Sequence, residues 1–276
     1  MRCRQFGAVG ALLALLGAAT AHAEPYPDWK GQWLRKSAGT FDPDKSFGLG
    51  QKAPLTPEYQ KVLEDSVADQ AAGGQGNNPM AACIPPGMPR MMIGYGGGFE
   101  FISTPEITYA IQGEPMLQLR RIFTDGRAWP KEREPSYAGF SIGQWEGTDR
   151  DGRFDTLAIE TRWIKGPHSY DDSGIPLHAD EQAVIKERIS SDKSDPRLLH
   201  NEITTVDNAL TRPWTVTQSY RRAVAVRPLW TERVCSEDGQ TIRIGEEDYA
   251  LSDGLLMPVR KGQPPPDLRY FGLKQN

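Results

Sequence analysis

Met116-Leu117-Gln118-Leu119-Arg120-Arg121-Ile122-Phe123-Thr124 alternates along its length, and the set Leu117, Leu119, Arg121 and Phe123 reads as the inward face of a β-strand. The same period of two recurs at 99–103, 107–112, 141–145, 154–163, 182–189, 198–206, 214–222 and 229–235. Between these runs stand turn formers such as Thr104-Pro105-Glu106, Asp149-Arg150-Asp151-Gly152 and Asp192-Lys193-Ser194-Asp195-Pro196. Short links make successive strands antiparallel neighbours. About nine strands with almost no helix between them predict a mostly β fold: an antiparallel up-and-down barrel or curved half-barrel of lipocalin-like kind.

Upstream the pattern changes. Residues 24–82 form an irregular segment rich in Gly, Pro, Trp and Asp, with Trp29 and Trp33 as apolar anchors. One helix is expected over 56–72, because Thr56 suits the N-cap, Pro57 the first helical position, and Tyr59, Val62, Leu63 and Val67 share a face. The barrel is assigned to 83–238, and the Gly-, Pro- and charge-rich residues 239–276 to a C-terminal extension wrapping the outside.

Residues 1–23 read as a signal peptide: Arg2 and Arg4 give a basic start, an apolar run follows, and Ala21-His22-Ala23 fits a small-x-small cleavage site. The expected location is periplasmic or secreted. Losing Arg2 and Arg4 moves the net charge from -4 to about -6, which disfavours nucleic acid as a partner; with the signal gone, no membrane association is expected either. Cys83 and Cys235 then remain, and in an oxidising compartment they are expected to form a disulfide closing a loop of about 150 residues. Neither has a second ligand at metal spacing.

Charge on apolar faces marks the candidate site. Arg121 falls on the inward set of 116–124, and Glu187 on that of 182–189 together with Ala183, Ile185 and Ile189. A buried charge costs several kcal/mol unless paired, so the two are either an internal ion-pair network or the polar floor of a ligand cavity. His178, in a loop ahead of the strand carrying Glu187, is a candidate general acid or base. Arg90, Arg121 and Arg127 are candidate holders of a substrate oxygen, and Trp145 a candidate aromatic wall. No metal or other cofactor is expected, since His168, Asp171, Asp172, His178 and Asp180 match no tight ligand spacing. Gly139-Phe140-Ser141-Ile142-Gly143 fits the nucleophile-elbow spacing, but no helix follows it, as that elbow requires.

Cys83-x-Pro85-x-Gly87-x-Pro89-Arg90, Arg120-Arg121-Ile122-x-x-Asp125-Gly126-Arg127, Ser141-Ile142-Gly143-x-Trp145-Glu146-Gly147, Ser173-Gly174-x-Pro176 and Glu187-Arg188 together resemble an uncharacterised family of exported proteobacterial proteins. The resemblance spans roughly residues 50–236 and implies a one-domain secreted protein without established catalytic residues. His178 departs from the pattern, since Leu177 separates it from Pro176.

Taken together, these features lead us to expect an exported, cofactor-free lyase or isomerase acting on a small apolar, aromatic molecule. In that reading His178 moves a proton and Glu187 orients it or serves as base. The alternative is a periplasmic carrier using the cavity without chemistry, and a weaker one is an envelope structural protein.

Overall fold

The computed structural model describes residues 26–36, 39–93, 98–113, 116–147, 152–224 and, for the backbone alone, 241–244, 247–252 and 255–259. Nine strands close a barrel: β1 (Gln32–Arg35), β2 (Phe99–Ser103), β3 (Ile107–Gln112), β4 (Gln118–Phe123), β5 (Phe140–Glu146), β6 (Thr156–Arg162), β7 (Val184–Ser191), β8 (Leu198–Val206) and β9 (Trp214–Arg222). They follow one another round the ring in chain order, and β1 pairs with β9 through Trp33 and Arg222 to shut it.

Strands β2 to β9 fall on the runs predicted from alternation; the remaining predicted strand, 229–235, lies outside the described residues. The ring is completed instead by β1, from the segment expected to be irregular. Nine is odd, and the oddness dictates a departure from the antiparallel expectation. Alternating directions return to their starting sense only round an even ring, so one neighbouring pair must run the same way. That pair is β4 and β5, parallel through Ile122 with Ser141 and Phe123 with Ile142.

A parallel pair cannot be joined by a tight hairpin. Residues 124–139 supply the longer connection, touching the sheet by a bridge from Ser136 to Ile164. Aromatic stacking holds this crossover down: Trp129 lies 5.9 Å from Phe140 and 5.7 Å from Trp163. The guanidinium of Arg162 sits 4.3 Å over Trp129, and that of Arg127 3.7 Å over Phe123.

Alternation fills the interior. Ile185, Ile189, Leu199, Ile203, Trp33 and Tyr220 are fully buried, each aliphatic side chain contributing about 1.5–3 kcal/mol on leaving water. A 3-10 turn, Arg90–Ile93, packs against them with Met91, Met92 and Ile93 buried, and the Tyr220 hydroxyl donates to the Met92 carbonyl.

Helix α1 (Pro57–Ala71) lies where Thr56 and Pro57 predicted, with the Thr56 hydroxyl accepting from the Tyr59 N–H. Leu63 and Ser66 are buried on its packed side, while Val62, expected there, is exposed. Ser66 and Gln70 bind the backbone carbonyl of Ser173. The C-terminal residues contain a separate three-stranded antiparallel sheet, β10 (Thr241–Ile244), β11 (Glu247–Ser252) and β12 (Leu255–Val259), which the composition of that extension did not announce.

Gly139 delivers the crossover into β5 with a φ of +66°, and a Cβ there would stand 2.6 Å from Thr161 Cγ2 and 2.9 Å from the Arg162 carbonyl oxygen. Gly139→Ala is expected to cost about 2 kcal/mol or more, read as a lower urea midpoint at unchanged m-value. An unchanged midpoint would show that the junction is not strained by a side chain.

Candidate functional site

Two places collect some of the residues singled out by sequence, the barrel interior beneath the β4–β5 seam and a cleft on the outer wall, while His178 and Arg90 lie in neither. The interior place is built on Arg120. On β4 the buried set is Gln118, Arg120 and Ile122, so Arg121 points outward and its inward assignment is corrected to Arg120. The polar partners explain the register: Gln118 accepts from the Gly87 N–H at 2.9 Å and donates to Gln112 Oε1 at 3.0 Å. Leu117 and Leu119 are left 75% and 47% exposed.

From β4 the Arg120 guanidinium reaches three further strands. Nε donates to Ser141 Oγ on β5 (3.1 Å), Nη2 to Thr161 Oγ1 on β6 (2.7 Å), and Nη1 and Nη2 embrace both oxygens of Glu187 on β7. Asn201 on β8 donates to Glu187 Oε1 at 2.9 Å. Neither side chain of the ion pair is exposed at all. Burial pushes the Tyr220 phenol on β9 well up; the Glu187 charge adds to the rise and the Arg120 charge opposes it.

Glu187 is therefore inward as predicted, but its oxygens are engaged by Arg120 and Asn201 and its side chain is fully buried. Ser141, at the elbow-like spacing, is the second residue of β5, and its hydroxyl is shared between Arg120 and Thr161. His178 sits elsewhere, half-buried, its ring 5.3 Å from that of Tyr59 on α1. Its Nδ1 lies 3.2 Å from Asp180 Oδ2, and its backbone N–H donates to Asp207. Arg90 is buried as a brace, donating to Asn78 Oδ1 and Ser169 Oγ at 2.7 Å each and pairing with Asp172. These partners separate the predicted acid–base pair: His178 belongs to the α1 side of the molecule, Glu187 to the centre of the barrel.

The outer place is a cleft of about 900 Å³. Outward side chains of β5 to β8 line it, notably Gln144, Glu160, Lys186, Arg188, Glu202 and Thr204. Arg127 and Trp129 of the crossover frame it, and Tyr26, Trp145 and Phe154 also line it. Of the predicted site residues, Arg127 and Trp145 border it, Trp145 from the buried side, where it packs on Trp29 at 5.0 Å. Tyr26 packs on Trp145 and Phe154 at ring distances of 5.5 and 5.4 Å, and the buried Trp145 Nε1–H has no hydrogen-bond partner among the described residues. Glu160 is held by Arg162 at 2.5 Å, with Lys186 only at 3.9 Å; Arg188 bonds Glu146 at 2.6 Å and Arg127 pairs with Asp125.

Lys186 and Arg188 were missed from the sequence because outward charges on a strand read as a solvated face, and Trp129 and Tyr26 because they lie in segments outside the strands. Only the parallel crossover turns that face into a cleft.

Cys83 is disulfide-bonded, and Cys235 lies outside the described residues. Among the described residues no group of three or more His, Cys, Asp or Glu is placed to hold a metal, and no helix is long and apolar enough to cross a membrane. Compared with family models, curated proteins and solved structures, the chain matches none.

The seam network makes a stability prediction. Arg120→Met leaves Glu187 buried without its cation and is expected to cost about 3–5 kcal/mol in urea unfolding, most of it recovered in Arg120→Met/Glu187→Leu. A cost below 1 kcal/mol for the single variant would remove the network from the fold's essentials.

His168 gives a second prediction. Burial lowers its pKa from 6.5 to about 4, with the ring stacked on Tyr137. Between those values the unfolded chain takes up a proton that the folded chain refuses, so stability falls as pH drops, by about 3 kcal/mol in all. His168→Asn should flatten that acid limb relative to the parent; parallel pH profiles would refute the assignment.

Proposed function

We propose that this protein is an exported small-molecule binding or carrier protein whose ligand has an aromatic or otherwise apolar body and sits in the outer-wall cleft. The observation that carries the reading is a contrast: the barrel interior is packed with side chains and closed by the Arg120–Glu187 pair, whereas the 900 Å³ cleft is concave and walled by aromatic rings with a few convergent polar groups. Sites of that size and make-up hold small ligands. The sequence features of residues 1–23, the disulfide at Cys83 and the resemblance to exported proteins support secretion; Cys235 is the proposed partner of Cys83.

Carriage is preferred to lyase or isomerase chemistry because the acid–base pair on which that chemistry rested is divided. Glu187 is closed off by Arg120 and Asn201, and His178 lies against Tyr59 and Asp180.

Thermal melting of the oxidised protein against small aromatics, terpenoids and steroids, with mass analysis of every hit, tests the reading. A ligand at about 100 times its Kd is expected to raise Tm by roughly 5–10 °C and to be recovered unchanged, with Trp129→Ala abolishing most of the shift. A new product mass would make the protein an enzyme, and silence across the panel would discard the cleft as a binding site.

A further inference from the structure

The cleft carries more information about its ligand than size and aromatic walls. Its charged side chains are Arg127, Lys186 and Arg188 against Glu160 and Glu202, since the Glu187 side chain is wholly enclosed by the barrel. The lining is thus richer in cations than anions, in a chain whose net charge is -4.

Pairing singles out Lys186, because Arg127 is held by Asp125 and Arg188 by Glu146. The carboxylate of Glu160 is claimed by Arg162 at 2.5 Å, and that guanidinium in turn stacks on Trp129, so the nearest anion to Lys186 is already spent. Lys186 reaches Glu160 only at 3.9 Å and keeps 61% of its side chain exposed, leaving its three N–H donors available. Arg188 places one nitrogen on Glu146 and has four further N–H donors. The Thr204 hydroxyl, by contrast, is engaged with Thr215 at 2.8 Å. Lys186 and Arg188 therefore keep unmet donor capacity beside aromatic faces, with the Glu202 carboxylate as the acceptor next to Arg188.

We infer that the ligand of the cleft is an aromatic carboxylate, its ring against the Trp129 side of the cleft and its oxygens on Lys186 and Arg188. The inference rests on the binding reading above and adds the charge of the ligand to it. Lys and Arg on an exposed wall recognise an anion without enclosing it, so affinity is salt-dependent and modest, as suits a ligand that has to be released.

The test compares benzoate with its neutral isostere benzamide, by calorimetric titration of the oxidised protein at low and high NaCl. Benzoate is expected to bind about tenfold more tightly than benzamide at low salt and to lose that advantage at high salt. Lys186→Gln, an exposed change that leaves the core untouched, should weaken benzoate about fivefold and benzamide not at all. Benzamide binding as tightly as benzoate, or losing equally in Lys186→Gln, overturns the anion inference while leaving the cleft a binding site. If neither ring binds, the anion inference fails, and with silence from the wider panel the binding reading fails with it.

Discussion

A guanidinium that spans a seam organises this barrel. Between β4 and β5 the wall is joined by two parallel rungs, as few as at any junction in the ring. Arg120 crosses it on the inner side, linking β4 to β5 through Ser141, to β6 through Thr161 and to β7 through Glu187, with Asn201 extending the chain of bonds to β8. Charged hydrogen bonds in a low-dielectric interior are worth more than neutral ones, and each group here leaves its partner stranded if removed. Side chains here reinforce a junction that backbone pairing leaves short.

The seam exists because the ring is odd, and the cleft exists because of the seam. A fully antiparallel ring would need no crossover, and 124–139 would be a turn of a few residues. Instead the crossover is long enough to carry Trp129 and Arg127 onto the outer wall, where Arg162 and Phe140 hold Trp129 in place. Rows of alternating charge on β6, β7 and β8, solvated on an open sheet, then become the floor of a concavity.

Most of the barrel was legible in the sequence because period-two alternation is a local signal, and β2 to β9 all carry it. β1 was not: four residues, Gln-Trp-Leu-Arg, are too few for alternation to stand out from a Gly- and Pro-rich surround. The predicted count of about nine was already odd, but it took in 229–235, which lies outside the described residues, and left out β1, so the place of the parallel pair was not legible. Arg120 was missed by a single step of register, since Leu117 and Leu119 look like a core face but are exposed, while buried Gln118 hides its role in a pairwise bond to Gln112. Glu187 was found because its strand neighbours Ile185 and Ile189 leave no ambiguity. The outer cleft was illegible for a different reason: its residues are ordinary surface residues until distant segments frame them.

The closing contact also imposes an order of assembly. β2, β3 and β4 meet as neighbours along the chain, as do β5 through β9, at little cost in loop entropy. β1 differs, because Trp33 must find Arg222 across nearly the whole described barrel sequence, and β2 lies well downstream as well. Such long-range pairing is slow to form relative to local hairpins. The small strand at the start of the described chain thus acts as a clasp, fastened only after the last barrel strand has been made.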